Sequence, residues 1–207
     1  MKLTISRVIV ASAICFVILP VVMLANDCLD EAMETEATAG VAIAPETEVS
    51  QTITCQLGGR IASLEMRVAV VGALSGPLVV SVYSTRAVSG SIVPHEPLAE
   101  WFVYLADLGA PQDVALDISD ADIWVTPGQT LAVAMHTTES PWIYVEWLGD
   151  SSSAYAGGKA HFRAFDPDWL EILDENGQDV DLGLKVSLEC ATPVEHHSWS
   201  SVKALYR

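Results

Sequence analysis

Apolar and polar residues alternate with a period of two through most of the segment 52–190. Leu64, Met66, Val68 and Val70 are interleaved with Glu65, Arg67 and Ala69. Leu78, Val80 and Val82 follow the same rule, as do Trp101, Val103 and Leu105, then Val114, Leu116 and Ile118, and Leu131, Val133 and Met135. Residues 142–147 are aromatic or β-branched at five of six positions, and 182–188 alternates cleanly once more. Successive side chains of a strand point to opposite faces, so each run predicts a strand with one apolar face. Gly76-Pro77, Pro94, Pro97, Pro127-Gly128, Ser140-Pro141, Gly149-Asp150 and Asn176-Gly177 punctuate the runs as turns. No stretch of this segment keeps a helical period over three turns. Many short strands with one apolar face each bury those faces by packing sheet on sheet. The expectation is an all-β antiparallel sandwich of eight to ten strands, wired as a jelly roll.

Outside the alternating region the pattern changes. Lys2 and Arg7 precede an uncharged, mostly apolar run from Val8 to Ala25. Residues 1–25 therefore read as an export signal helix, either cleaved or kept as a membrane anchor. Asp27 before Cys28 does not suit a lipoprotein cleavage site. Residues 26–50 carry seven acids and no base among Ala, Thr and Pro, and are expected to form a flexible acidic spacer. The sandwich is expected over 51–191. In the tail, 192–207, Ser198 is a candidate helix cap, and Trp199, Val202 and Tyr206 recur at near-helical spacing before the terminal Arg207. It is expected as a short helix for docking or sorting.

Export places the chain where disulfides form. Of four cysteines, Cys15 lies in the signal. Cys55 and Cys190 continue the apolar alternation of the first and last strands, and a Cys55–Cys190 bridge between them is expected. Closing so long a loop stabilises by about 4–5 kcal/mol on the chain-entropy account. Cys28 is left to pair between chains or stay reduced.

The blocks Gly76-Pro77-Leu78-Val79-Val80-Ser81-Val82-Tyr83, Pro97-Leu98-Ala99, Pro127-Gly128-Gln129-Thr130-Leu131-Ala132-Val133, Tyr155-Ala156-Gly157-Gly158-Lys159-Ala160, the Trp at 169 and Asp181-Leu182-Gly183-Leu184-Lys185-Val186 bear a likeness. Together, over roughly 60–189, the chain resembles the choice-of-anchor type of secreted bacterial β-sandwich domain. Leu184 stands where that family more often has Phe. The resemblance implies a non-enzymatic module at the cell surface or outside the cell, and it transfers no catalytic residue and no ligand.

Charge narrows the function classes. There are 27 acidic against 10 basic residues, a formal charge of −17. So acidic a chain repels phosphate backbones, which excludes nucleic acid as a partner. Trp142 and Tyr144 share one strand face while Ile143, Val145 and Trp147 share the other, so the first pair is a candidate sugar-stacking platform. Tyr155, beside a glycine pair, and Trp169 join them as candidate ligand contacts. No cofactor is expected, with calcium the one alternative, for which Asp166, Asp168 and Asp174 are the candidate ligands. Asp174 also opens the Asn176-Gly177 turn, a structural use for its carboxylate. The histidines (His95, His136, His161, His196, His197) sit in no nucleophile or zinc pattern, and those on strands are expected at the surface or an edge. The sequence therefore points to a non-catalytic exported module for a glycan or surface protein. The alternative is a structural subunit that self-associates through 192–207 or Cys28. A glycan-cleaving enzyme ranks below both.

Overall fold

The computed structural model describes residues 27–32, 39–71, 76–105, 111–137, 144–151, 155–165 and 168–190, with the backbone alone for 27–32, Tyr144 and Cys190. The fold is all-β, and two antiparallel sheets pack face to face. The strands are β1 (Asp27–Ala32), β2 (Ala39–Ile43), β3 (Thr47–Thr54), β4 (Gly59–Val71), β5 (Leu78–Val88), β6 (Ser91–Val103), β7 (Gln112–Asp117), β8 (Trp124–Val125), β9 (Thr130–Thr137), β10 (Tyr144–Asp150), β11 (Ala160–Ala164), β12 (Leu170–Glu171), β13 (Asp181–Leu182) and β14 (Leu184–Cys190). One 3-10 turn, Ser119–Ala121, stands before β8.

The first sheet runs β1-β14-β4-β10-β13, with β2 added to β10 and both β7 and β8 added to β4. The second runs β12-β11-β3-β9-β5-β6. The core between them takes the alternating residues of both: Leu64, Met66, Val68 and Val70 from β4, Leu131, Val133 and Met135 from β9, Leu78, Val80 and Val82 from β5, and Leu184, Val186 and Leu188 from β14. Val145 and Trp147 of β10 are fully buried, and the Trp147 indole donates to the carbonyl of Gly183 at 2.9 Å. Gln51 crosses between the sheets, its side-chain carbonyl accepting from the backbone N–H of Leu182 at 2.9 Å. A buried polar group needs such a partner.

Fourteen strands stand among the described residues, against eight to ten expected. The surplus has two sources. Strands β8, β12 and β13 are two residues long, too short to show a period. The other source is the acidic segment 26–50, which contains β1, β2 and the start of β3 rather than an extended spacer. Strand β2 pairs with β10 from Ala39 to Ile43, and Ile43 is buried in the core. Charge density alone misjudges this segment, because Glu48 is neutralised inside the fold by Arg163.

The expected signal helix, 1–25, and helical tail, 192–207, lie outside the described residues. Cys55 is buried in the core, and the backbone of Cys190 closes β14 opposite Gly59, four residues along from Cys55. The side chains of Cys28 and Cys190 lie outside the description.

Candidate functional site

The outer face of the second sheet carries the candidate site. Its pleat sets Arg163 beside Glu48, Glu48 beside His136, His136 beside Val79 and Val79 beside Phe102, one row across five strands. The next row is His161, Ser50, Ala134, Ser81 and Glu100, and the one after holds Thr52, Ala132 and Tyr83. Small residues occupy the middle strands for a reason. Tyr83, Ala132 and Ala134 form a buried cluster on which Trp169 packs. Tyr83 and Trp169 meet edge to face, with ring centroids 6.3 Å apart. A larger side chain at 132 or 134 would lift both rings off the sheet.

Glu48 is the centre of this cluster and is only 8% exposed. Its Oε2 accepts from the Arg163 Nε–H at 2.7 Å and from the second guanidinium nitrogen. Its Oε1 accepts from the Tyr83 hydroxyl at 2.8 Å. The guanidinium carbon of Arg163 lies 4.6 Å from the centre of the Trp169 ring. Burial, and then the Glu48 charge, push the Tyr83 hydroxyl up to about 12, so it stays a donor at every physiological pH. The group is a closed circuit: one acid, one base and a phenol, charge-compensated and laid against an indole.

Above this floor lies an open depression of about 540 Å³ lined by Glu46, Thr47, Glu48, Tyr83, His136, Arg163 and Phe165. Two of its residues have left-handed backbones without being glycine, Glu46 at φ 67° and Phe165 at φ 56°. They stand at corresponding places. The β3–β11 ladder ends on the pair Thr47–Ala164, and Glu46 and Phe165 are the next residue on each side. Glu46 is the third residue of a turn, Ala44-Pro45-Glu46-Thr47, closed by Thr47 N–H to the Ala44 carbonyl at 3.1 Å. Turns with Pro second and positive φ third favour glycine there. Phe165 is 88% exposed, the most exposed large apolar residue among those described. An L residue in this region of φ costs on the order of 1 kcal/mol or more. Here that strain is spent twice, and it sets a carboxylate and a phenyl ring at the rim.

Two smaller depressions flank the cluster. One of about 350 Å³ is lined by Arg86, His161, Asp168, Trp169 and Glu171 among others, and one of about 250 Å³ by Thr52, Thr54, Thr130, the glycines Gly157 and Gly158, and Lys159. His161 is fully buried rather than at the surface, and β11 is not an edge strand, because β12 pairs outside it. Burial lowers its pKa, so it is held neutral.

The ligand candidates read from the sequence are dispersed. Trp169 belongs to the cluster, half-buried on Tyr83. Tyr155 packs against the main core, and its backbone N–H donates to Asp181 Oδ2. A Cβ on Gly158 would strike the Thr52 carbonyl, so this glycine serves the close approach of the bend to β3, and one on Gly157 would strike the Tyr155 ring, which packs over the bend. Trp142 and the side chain of Tyr144 lie outside the described residues. Of the calcium candidates, Asp166 also lies outside, and Asp168 is exposed at the rim of the 350 Å³ depression. Asp174 accepts from the backbone N–H groups of Asn176 and Gln178, each at 2.8 Å, and these bonds lower its pKa. Among the described residues no three His, Cys, Asp or Glu side chains gather into a metal-holding group.

Glu48, Tyr83, His136, Arg163 and Phe165 were not singled out as ligand contacts by the sequence. Alternation places His136 on an outward face, whereas Glu48 falls in the expected acidic spacer, and nothing local joins residues 48, 83 and 163. The chain matches no protein-family model and no curated protein.

Proposed function

We propose that this chain is an exported, non-catalytic β-sandwich module that binds a glycan through the depression above Glu48, Tyr83, His136 and Arg163. The sandwich is read as a jelly roll, since the chain crosses between sheets from β3 to β4, β4 to β5, β6 to β7 and β8 to β9. The resemblance to choice-of-anchor domains and the apolar N-terminal run support export. One observation carries the binding role. Two non-glycine residues are strained at matching positions on the rim of one depression, and one of them holds a phenyl ring in water. Folding gains nothing evident from either choice, since glycine would relieve both.

The chemistry suits a polyol. Sugar hydroxyls both donate and accept, and the depression offers Glu46 as acceptor, His136 as either, and an aromatic face at Phe165. Glu48 is committed to Arg163 and Tyr83, which argues against its use as a general acid or base. The net charge of −17 disfavours strongly anionic polymers.

The test is binding of the exported chain to an array of bacterial and plant glycans, followed by calorimetry with Glu46→Gly and Phe165→Gly. Both variants are expected to keep or raise thermal stability and to weaken binding about tenfold. Full affinity in both variants, or no binding to any glycan, would overturn the assignment.

A further inference from the structure

A second aromatic surface lies at one end of the sandwich, apart from the depression on the second sheet. Strand β8 is only two residues long, and it pairs Val125 with Gly59 and Trp124 with Arg60. Ile123 and Val125 point into the core, so the pleat sends Trp124 outward, where it is 58% exposed. An exposed indole normally samples several rotamers. This one is anchored, because its Nε1–H donates to Asp122 Oδ1 at 2.9 Å. Asp122 reaches that position with a left-handed backbone of φ 52°, directly after the 3-10 turn, its own N–H returning to the Ser119 carbonyl. The neighbouring Arg60 is engaged elsewhere, its Nε–H on Glu189 at 3.1 Å and a further N–H on the Ser119 carbonyl at 3.3 Å.

Trp124 forms one wall of a cleft of about 630 Å³ between the two sheets. That volume lies in the range of small-molecule sites. Leu98, Ser84, Thr85, Gln129 and Thr130 line it opposite. Thr85 donates to the Thr130 carbonyl at 2.8 Å, and Gln129 Oε1 accepts from the Thr126 N–H at 3.1 Å. The Gln129 amide is thereby oriented with its NH₂ as the remaining donor. Among the described residues, Asp122 is the one charged side chain lining the cleft.

We infer that this cleft is a binding subsite for a neutral saccharide ring, stacked on Trp124 and hydrogen-bonded by Gln129, Thr85 and Asp122. Three features select that ligand class. The indole has its edge donor satisfied and presents a flat face, which suits the C–H face of a pyranose. The opposite wall combines hydroxyls and an amide with the apolar Leu98. No cation among the lining residues invites an anionic sugar. The subsite does not depend on the depression above Glu48; if both bind, one chain holds a glycan at two points.

The experiment is a titration of the folded, exported chain, labelled with nitrogen-15, with neutral oligosaccharides of glucose, mannose, galactose or N-acetylglucosamine. The chain has six tryptophans, and the Trp124 indole resonance is assigned by its absence in Trp124→Phe. The expected result is a saturable shift of that resonance by at least one of these sugars. Trp124→Ala should weaken binding about tenfold, and Asp122→Asn should retain it. Asp122→Asn keeps an acceptor and tolerates the left-handed backbone, which separates loss of the site from loss of the fold. A Trp124 resonance that no sugar moves, or a shift whose affinity survives Trp124→Ala, overturns the inference. Perturbation confined to Phe165 and its neighbours would overturn it too, while leaving the first site standing.

Discussion

Glu48 shows how a charge enters a sandwich wall. Its carboxylate is nearly buried, yet its oxygens accept bonds from Arg163 and Tyr83. Removing one partner of such a pair costs more than the pair itself contributes, because the remaining charge keeps its burial and loses its compensation. The Arg163 side chain is 33% exposed, so water replaces part of what is lost. Arg163→Ala is expected to lower unfolding free energy by about 2 kcal/mol in urea melts, part of it from the lost contact with Trp169. Lys185→Ala, which breaks a 3.5 Å pair with Glu65 between half-exposed side chains, should cost under about 0.5 kcal/mol. Equal effects from the two would contradict the special place given to Glu48. At this scale the sequence is legible on one side only. The inward set, from Leu64 to Leu188, follows from alternation. The partners of Glu48 do not, since 115 residues separate it from Arg163. Phe165 is likewise invisible, because its exposure comes from a backbone angle that no neighbouring residue announces.

The elements meet most tensely where β10, β13 and the Tyr155 bend converge. Asp150 of β10 stands directly opposite Asp181 of β13, and both are buried. Like charges opposite one another are unfavourable. Burial first, then the charges of Asp179 and Asp150, push Asp181 up to about 7, against the opposing bond with Gln51 and the charge of Lys159. A carboxyl whose pKa is raised on folding binds more protons when folded than when unfolded, so stability falls as pH rises through that interval. The contribution of Asp181 is therefore largest below about pH 4, declines up to about pH 7 and is flat beyond. Asp181→Asn removes the slope. Its stability relative to the native chain should rise from pH 4 to 7 in thermal melts, and a gap independent of pH would refute the assignment. Among the elements themselves, the long strands β4, β5, β9 and β14 were readable from period two. The Asp174–Gly177 turn was readable from Asn-Gly, and Gly177 indeed has φ 76°. The start of the sandwich was not. Acidic composition suggested a spacer over 26–50, and pairing of β2 with β10 outweighs it, since Ile43 and Val49 supply the core contacts that charge counting ignores.

At the scale of the whole molecule, the two sheets differ in what they expose. The first is patched with short strands around β4. The second is a six-stranded surface, whose outer face carries the Glu48 circuit, its flanking depressions and Phe165. Its edge strand β6 shows Ile92, Leu98 and Phe102 to solvent, with Pro94 and Pro97 between them. Prolines on an edge discourage another strand from adding there. The glycan proposed above would accordingly meet the outer face rather than the β6 edge. The acidic charge of the chain disfavours anionic partners on that face.

Hydrogen exchange across the whole chain, with and without the glycan selected on the array, is the decisive measurement of where a glycan binds. Slowed exchange is expected at residues 46–48, 135–137 and 163–165, which border the depression on the second sheet, with the β4–β14 ladder unchanged. Protection confined to the first sheet, or none at saturating glycan, would contradict binding at that depression.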